Sequence, residues 1–272
     1  MSIITLLTDF GTQDYFVAAM KGVILSANAH ARIVDISHEI PPQDIQAGAF
    51  NLLAVYQNFP AGTIHTGVVD PGVGSERRAI IIECAGQLFV GPDNGLFSFI
   101  VQREGKCRIH QVTNEEFFRH PVSNTFHGRD VFAPVAAALS NGAEARALGP
   151  LIDTMVELES LTPQQTSDGT IEGAIIHIDR FGNCITNLTS EHLGSRHESP
   201  LHVNINGREI TSYRQFFSQT SSLADELFMF LGSAGFIEIA ARNASAASIL
   251  SARRGQSIVA NKRPVKLDPS SR

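Results

Sequence analysis

VVDPGVGSERR, residues 68–78, ends one kind of structure and begins another. An apolar, strand-like run, TIHTGVVD, stops at Asp70. Pro71, Gly72 and Gly74 then bend the chain as only proline and glycine chemistry can in so short a space. Arg77 follows Asp70 by seven residues, close enough for its guanidinium to fold back over the carboxylate, and Arg78 adds a second cation. Open α/β sheets bind ligands at the carboxyl ends of their strands. Taken alone, the stretch reads equally as a βα turn whose aspartate satisfies backbone amides and as part of an active site. Similar acid-bearing strand ends elsewhere in the chain shift the balance toward a site.

Working outward, IITLLT (3–8) is a first strand that runs into Asp9-Phe10-Gly11. Phe16, Ala19, Met20, Val23, Ile24 and Ala27 follow at helical spacing, with Asp14 as the expected N-cap. RIVDIS is a second strand, and after Pro41-Pro42 a second helical pattern runs from Asp44 to Asn58. AIIIECAGQLFVGP reads as a hairpin about Ala85-Gly86, and VFAPVAAALSNG as a short helix opened by Asp130. The order βαβαβ predicts an α/β N-terminal domain with a largely parallel central sheet over residues 1–160. SLTPQQTSDGT is polar and turn-rich, which places a linker at 161–171. Short strand-like runs separated by Gly, Asn and Ser then predict a smaller all-β C-terminal domain over 172–260, with a polar tail at 261–272.

Composition narrows the partners. The 272-residue chain carries 43% hydrophobic and 18% charged residues and a net charge of −6. Phosphate-backbone binding and anionic membrane surfaces call for clustered Lys and Arg, so neither nucleic acid nor membrane is expected as a partner. Cys84, Cys107 and Cys184 are odd in number and widely spaced, which suggests neither a disulfide framework nor a zinc site and fits a reducing cytoplasm. The first residues read as a strand rather than a signal peptide.

Three groups of residues carry chemistry. Asp9, Asp35 and Asp70 are expected at the ends of adjacent strands. Asp35 reads as turn stabilisation, whereas Asp9 beside Gly11 can accept the two hydroxyls of a ribose. NTFHGRD (124–130) sets His127 on a bend between Thr125 and Arg129, just before a helix N-terminus. IDRFGNCITN (178–187) gathers Asp179, Asn183 and Asn187 around Phe181-Gly182, which suits either a flat base or amino-acid head group or a plain Asx-stabilised β-turn. Phosphate-binding and dinucleotide glycine motifs, zincin helices and nucleophile elbows are absent.

LLTDFG, DYFVAAMKGVI, VVDPGVG, GPDNGLFS, FHGRD and IDRFGNCITN occur in this order between about residues 3 and 250. Together they closely resemble the S-adenosyl-L-methionine (SAM) hydroxide adenosyltransferases, the adenosine-forming SAM hydrolases related to fluorinases and chlorinases. The resemblance implies hydrolysis of SAM to adenosine and methionine, no cofactor beyond the substrate, and a homotrimer with sites between subunits. It puts the family's Asp-Arg-His set on Asp70, Arg77 and His127, and its ribose-binding acid on Asp9. Asp179 and Asn183 fall on the methionine-binding positions, with Phe181 near the adenine. Thr125, Ser233, Ala241 and Asn243 fall on further ligand contacts. The adenine loop reads AARNAS (240–245), a departure from the Val-Asn-Gln-Gly form of the hydrolases. Halogenase relatives carry Tyr and Thr where this chain has Asp70 and Val73, Tyr where it has His127, and an insertion where Cys84 turns directly toward Leu88. Two other readings stand beside the hydrolase: a metal-dependent hydrolase using Asp9, Asp70, His127 and Asp130, and a non-catalytic SAM or adenosine binder.

Overall fold

The computed structural model describes residues 2–193, 201–215 and 227–262. The chain divides into two compact units, Met1–Ser160 and Leu161–Arg272. The first contains β1 (Ile3–Thr8), α1 (Phe16–Ala27), β2 (Arg32–Ser37), α2 (Ile45–Val55), β3 (Ile64–Val68), β4 (Ala79–Cys84), β5 (Gln87–Pro92), α3 (Ser98–Glu104), β6 (Arg108–Gln111), α4 (Ala133–Ser140), α5 (Ala145–Leu148) and β7 (Leu151–Ile152). Its seven strands form one sheet in the order β2-β1-β3-β5-β4-β6-β7.

The sheet is mixed rather than largely parallel. β2, β1, β3 and β5 run parallel, but β4 pairs antiparallel with both β5 and β6, and β6 antiparallel with β7. The cause is local. Ala85 and Gly86 both take positive φ, 52° and 72°, so the chain turns in two residues and β5 returns along β4. The alternation within β1 divides the core. Ile4 and Leu6 pack with Met20 and Ile24 of α1 and Ala136 of α4. Leu7 faces the other way, toward Gly48 of α2.

β2 and β3 lie on opposite sides of β1. The strand order therefore reverses at β1, and the crevice beyond the carboxyl ends of β1 and β3 is the switch point at which such sheets bind ligands. Asp9 leaves β1 there, and Asp70 follows the end of β3 by two residues. Asp35 does not end its strand. It lies within β2 opposite Leu6, and its carboxylate contacts Lys21 at 2.6 Å and His38 at 3.1 Å.

Two expected helix caps are different in the structure. Tyr15, without a side-chain cap bond, precedes α1 in place of Asp14. Asp130 lies inside a π-helical turn, Gly128–Phe132, because the Ser123 N–H and the guanidinium groups of Arg119 and Arg129 claim its buried carboxylate. The cysteine reading also needs correction: Cys84 and Cys107 form a disulfide. In the β4–β6 pairing Glu83 stands opposite Arg108, so the next step along each strand brings these two cysteines face to face. Wide sequence spacing hid that juxtaposition, and it is no longer an argument for a reducing compartment.

The second unit contains β8 (Gln164–Gln165), β9 (Ile171–Ile178), β10 (Cys184–Thr189), β11 (Leu201–Ile205), β12 (Arg208–Ile210), β13 (Leu227–Leu231), β14 (Phe236–Ala241), α6 (Ala246–Leu250) and β15 (Ser257–Lys262). Its strands join antiparallel in the order β12-β11-β15-β9-β10-β14-β13, with β8 paired to β9. The stretch expected to be a linker thus contributes a strand, and a short helix interrupts the β architecture. The core is aliphatic, with Ile175, Leu188, Val203, Ile237 and Ile239 buried together. Most of the expected tail, residues 263–272, lies outside the described residues. Among the described residues no helix is long and apolar enough to cross a membrane.

Candidate active site

The loop after β3 closes on itself as its sequence suggests. Val73 donates its N–H to the Asp70 carbonyl and Ser75 to that of Gly72. Gly74 has φ +77°, and a Cβ there would stand 2.3 Å from the Asn124 carbonyl oxygen. Only glycine lets the loop approach the 124–127 segment this closely.

That approach unites three predicted residues. Arg77 Nε donates to Asp70 Oδ1 at 2.9 Å and to Oδ2 at 3.0 Å, and its terminal nitrogen also reaches Oδ2. The same nitrogen lies 2.8 Å from His127 Nδ1. The Asp70 side chain is only 4% exposed and that of Arg77 11%. Arg77 further rests on the Phe132 ring, 5.1 Å from its centroid.

A guanidinium has no lone pair to offer, so Nδ1 of His127 accepts and the neutral ring carries its proton on Nε2. Burial lowers the His127 pKa from its ordinary 6.5, and the Arg77 charge lowers it further, against opposing contributions from Asp70 and Asp130. Asp130 is itself an ionised structural anchor. Burial works against its charge, but the Arg129, Ser123 and Arg119 contacts hold its carboxyl below the usual range.

Asp9 and Thr125 stay outside this network. Asp9 Oδ2 accepts the Gln43 N–H at 2.7 Å, and Thr125 shares a 3.1 Å hydroxyl contact with Ser123. Among the described residues no group of three or more His, Cys, Asp or Glu side chains is placed to hold a metal. The four ligands of the metal-hydrolase reading are instead engaged by other groups, Asp70 and His127 together by Arg77, Asp130 by two arginines and Asp9 by a backbone amide.

Supports absent from the sequence reading surround the set. Asn94 Nδ2 donates to the Val69 carbonyl at 2.8 Å, next to Asp70. Asp93, buried, accepts from Arg78 Nε at 2.7 Å and from the Val156 N–H at 2.7 Å. The turn after β5 therefore grips both ends of the Asp70–Arg77 loop. Phe126 packs edge-on against Phe10 and Phe16, beside a Tyr15 ring that is 65% exposed. GPDNG was visible in the sequence as a motif; nothing in its spacing announced which loop it holds.

The second unit has a cavity of its own, about 800 Å³, lined by Asp179, Phe181, Asn183, Phe230, Leu231, Ser233, Glu238, Ala241 and Asn243 among others. It brings together all six ligand-contact candidates of this unit. Asp179 closes the turn: Oδ1 accepts the N–H groups of Phe181 and Asn183 at 2.9 and 2.8 Å, and Oδ2 accepts Asn183 Nδ2 at 2.8 Å. Gly182, φ +81°, lies against Ser245, where a Cβ would meet Oγ at 2.1 Å. The turn leaves the Phe181 ring 78% exposed. Asn187, grouped with this cluster in the sequence, instead accepts the Ala174 N–H from β9 at 2.8 Å and is buried.

The family model for the SAM hydroxide adenosyltransferase N-terminal domain matches residues 4–149, and that for the C-terminal domain matches residues 173–259. The chain belongs to this family. Among similar proteins, the (R)-S-adenosyl-L-methionine hydrolase of Methanocaldococcus jannaschii is 39% identical over 249 residues, 88% of each chain. That of Thermus thermophilus is 34% identical over 93% of this chain and 96% of its own. A fluorinase from Nocardia brasiliensis is 26% identical over 94% of this chain and 95% of its own. An uncharacterised conserved protein from Thermotoga maritima superposes with a TM-score of 0.86 at 31% identity, covering 95% of this chain and 99% of its own. The Asp70–Arg77–His127 network and the lined cavity are thus features of a SAM hydroxide adenosyltransferase family member.

Proposed function

We propose that this protein hydrolyses SAM to adenosine and L-methionine, and that it takes the R sulfonium epimer named for its relatives. The observation that carries the reading is the buried Asp70–Arg77–His127 network. Methionine departs from a sulfonium as a neutral thioether, so no general acid is needed. The difficulty lies with water, a poor nucleophile toward the ribose 5′ carbon. As the C–O bond forms, the water oxygen becomes positive and its proton passes to Asp70. His127 is the less suitable acceptor because Arg77 occupies its one unprotonated nitrogen. Its Nε2–H instead orients the water, while Arg77 holds Asp70 in place to take the proton.

Asp9 serves the ribose diol in this reading and Thr125 makes a further substrate contact. In the second unit, Phe181, Ala241 and Asn243 serve the adenine, while Asp179, Asn183 and Ser233 serve the methionine portion. The working assembly is a homotrimer with sites between subunits. No cofactor takes part.

The test is turnover of separated SAM epimers in oxygen-18 water, with and without chloride. Adenosine labelled at the 5′ hydroxyl is expected, with little 5′-chloro-5′-deoxyadenosine. The Asp70 carboxylate repels a chloride about 4 Å away by on the order of 4 kcal/mol at an effective dielectric of 20, before the attraction of the paired Arg77 reduces it. Asp70→Asn should lower kcat by roughly 10²–10⁴-fold. Binding without turnover, unlabelled adenosine or a dominant chlorinated product would each overturn the reading.

A further inference from the structure

β2 carries one residue more than β1 beside it. Leu6 pairs with Asp35 and Leu7 with Ser37, so Ile36 has no partner there. An extra residue bends a strand and re-aims its side chains. Beyond this point His38, 5% exposed, turns in beside the end of β1. Its Nδ1 lies 2.8 Å from the hydroxyl of Thr8, which is fully buried. Its Nε2 stands 3.1 Å from Asp35 Oδ1, and Lys21 Nζ donates to Asp35 Oδ2 at 2.6 Å. Burial works against the Asp35 charge, but Lys21 and His38 hold the carboxyl below its ordinary 3.8. The ring nitrogen that faces a carboxylate is the protonated one, which leaves Nδ1 to accept the Thr8 hydroxyl proton. Thr8 Oγ1 in turn accepts the Phe10 N–H at 3.3 Å. The order Asp–His–Thr is that of a nucleophilic triad, but a hydroxyl with no exposed surface meets no substrate.

These contacts converge on Asp9, which lies between Thr8 and Phe10. The His38 carbonyl accepts the Gly11 N–H at 2.7 Å, and the same segment sends the Gln43 N–H to Asp9 Oδ2 at 2.7 Å. Gln43 takes φ +64°, a left-handed conformation uncommon outside glycine. Backbone strain of this kind gathers at functional sites. Among the described residues the other oxygen, Asp9 Oδ1, has no hydrogen-bond partner and is left for a ligand. We infer that His38, held by Asp35 and acting through the Thr8 hydroxyl, is a positioning residue that fixes the strand end so that Asp9 meets the ribose diol. The inference rests on the ribose reading of Asp9. It gives Asp35 a part in the site in place of turn stabilisation.

The test uses Thr8→Val, which nearly keeps the side-chain shape and removes the hydroxyl, and Asp35→Asn, which removes the charge that orients the ring. The probes are adenosine and 2′,3′-dideoxyadenosine in calorimetry, with SAM turnover alongside. The wild type should prefer adenosine, and Asp9→Ala should abolish the preference. In Thr8→Val the preference should shrink roughly fivefold, the worth of one intramolecular hydrogen bond, while dideoxyadenosine affinity stays within about twofold. Asp35→Asn should show the same pattern at smaller amplitude, and its side chain is 41% exposed, so the fold tolerates the change. In both variants kcat/KM for SAM should fall mainly through KM. A structural role alone predicts lower stability with the two nucleosides weakened equally or not at all. That result, or a fall in kcat at constant KM, overturns the inference and leaves the ribose reading intact. Should the wild type bind both nucleosides alike, the ribose reading falls instead. Amide hydrogen exchange then decides the positioning role. The Gln43 amide, which Asp9 covers, should exchange roughly fivefold faster in Thr8→Val than in the wild type, and unchanged exchange there overturns it.

Discussion

At the scale of single residues, the proton on His127 is the most consequential detail of the first unit. Arg77 holds the imidazole neutral by occupying Nδ1. Protonating that nitrogen breaks the contact and sets two cations face to face. The folded pKa is lowered, so the stability tied to neutral His127 is present above its ordinary 6.5 and is lost as pH falls through the folded value. An NMR titration should place the His127 midpoint below 6.5, with the acid limb of kcat/KM following it. In Arg77→Met the midpoint should move up, because Asp70 then faces the ring uncompensated. An unshifted midpoint in that variant would sink the account. The residue types in this set were legible in the sequence, since an Asp at a strand end, an Arg seven positions on and a His at a bend are local facts. Their engagement was not: nothing local says that Arg77 bonds both partners at once, or that Asp9 gives its carboxylate to Gln43.

Among the elements, the β5–α3 turn matters most. Asp93 and Asn94 tie the Asp70–Arg77 loop down at both ends. Removing the Asp93 carboxylate leaves Arg78 without its partner. Asp93→Ala should destabilise the fold by on the order of 3 kcal/mol, the low end for a broken buried pair because Arg78 is partly exposed. It should also lower kcat more than it raises KM. A denaturation midpoint and a Michaelis curve check both, and wild-type kcat in a destabilised variant would separate the turn from catalysis. Strands and helices with clear periodicity were readable in the sequence. The antiparallel half of the sheet was not, because direction is decided by where a hairpin falls and which edge it meets. The same register explains why the disulfide escaped notice. Thiol titration of the unfolded, unreduced protein should find one reactive cysteine, Cys184, and three after reduction. Three before reduction would disprove the Cys84–Cys107 bond.

For the whole molecule, each unit presents one set of candidate residues on its own framework, the Asp70–Arg77–His127 network in Met1–Ser160 and a lined cavity in Leu161–Arg272. The division was visible as a change in composition near residue 160, but β8 shows that polar sequence alone does not make a linker. The trimer reading predicts a solution mass three times that of the 29.4 kDa chain in sedimentation equilibrium. A monomer that is fully active would remove the need for subunit boundaries. A phenylalanine 78% exposed is an apolar surface kept in reserve, on a turn whose backbone Asp179 fixes. Whatever covers Phe181 releases the water that hydrates its apolar surface. Association at this cavity therefore carries a negative heat-capacity change, and its enthalpy becomes more favourable with warming.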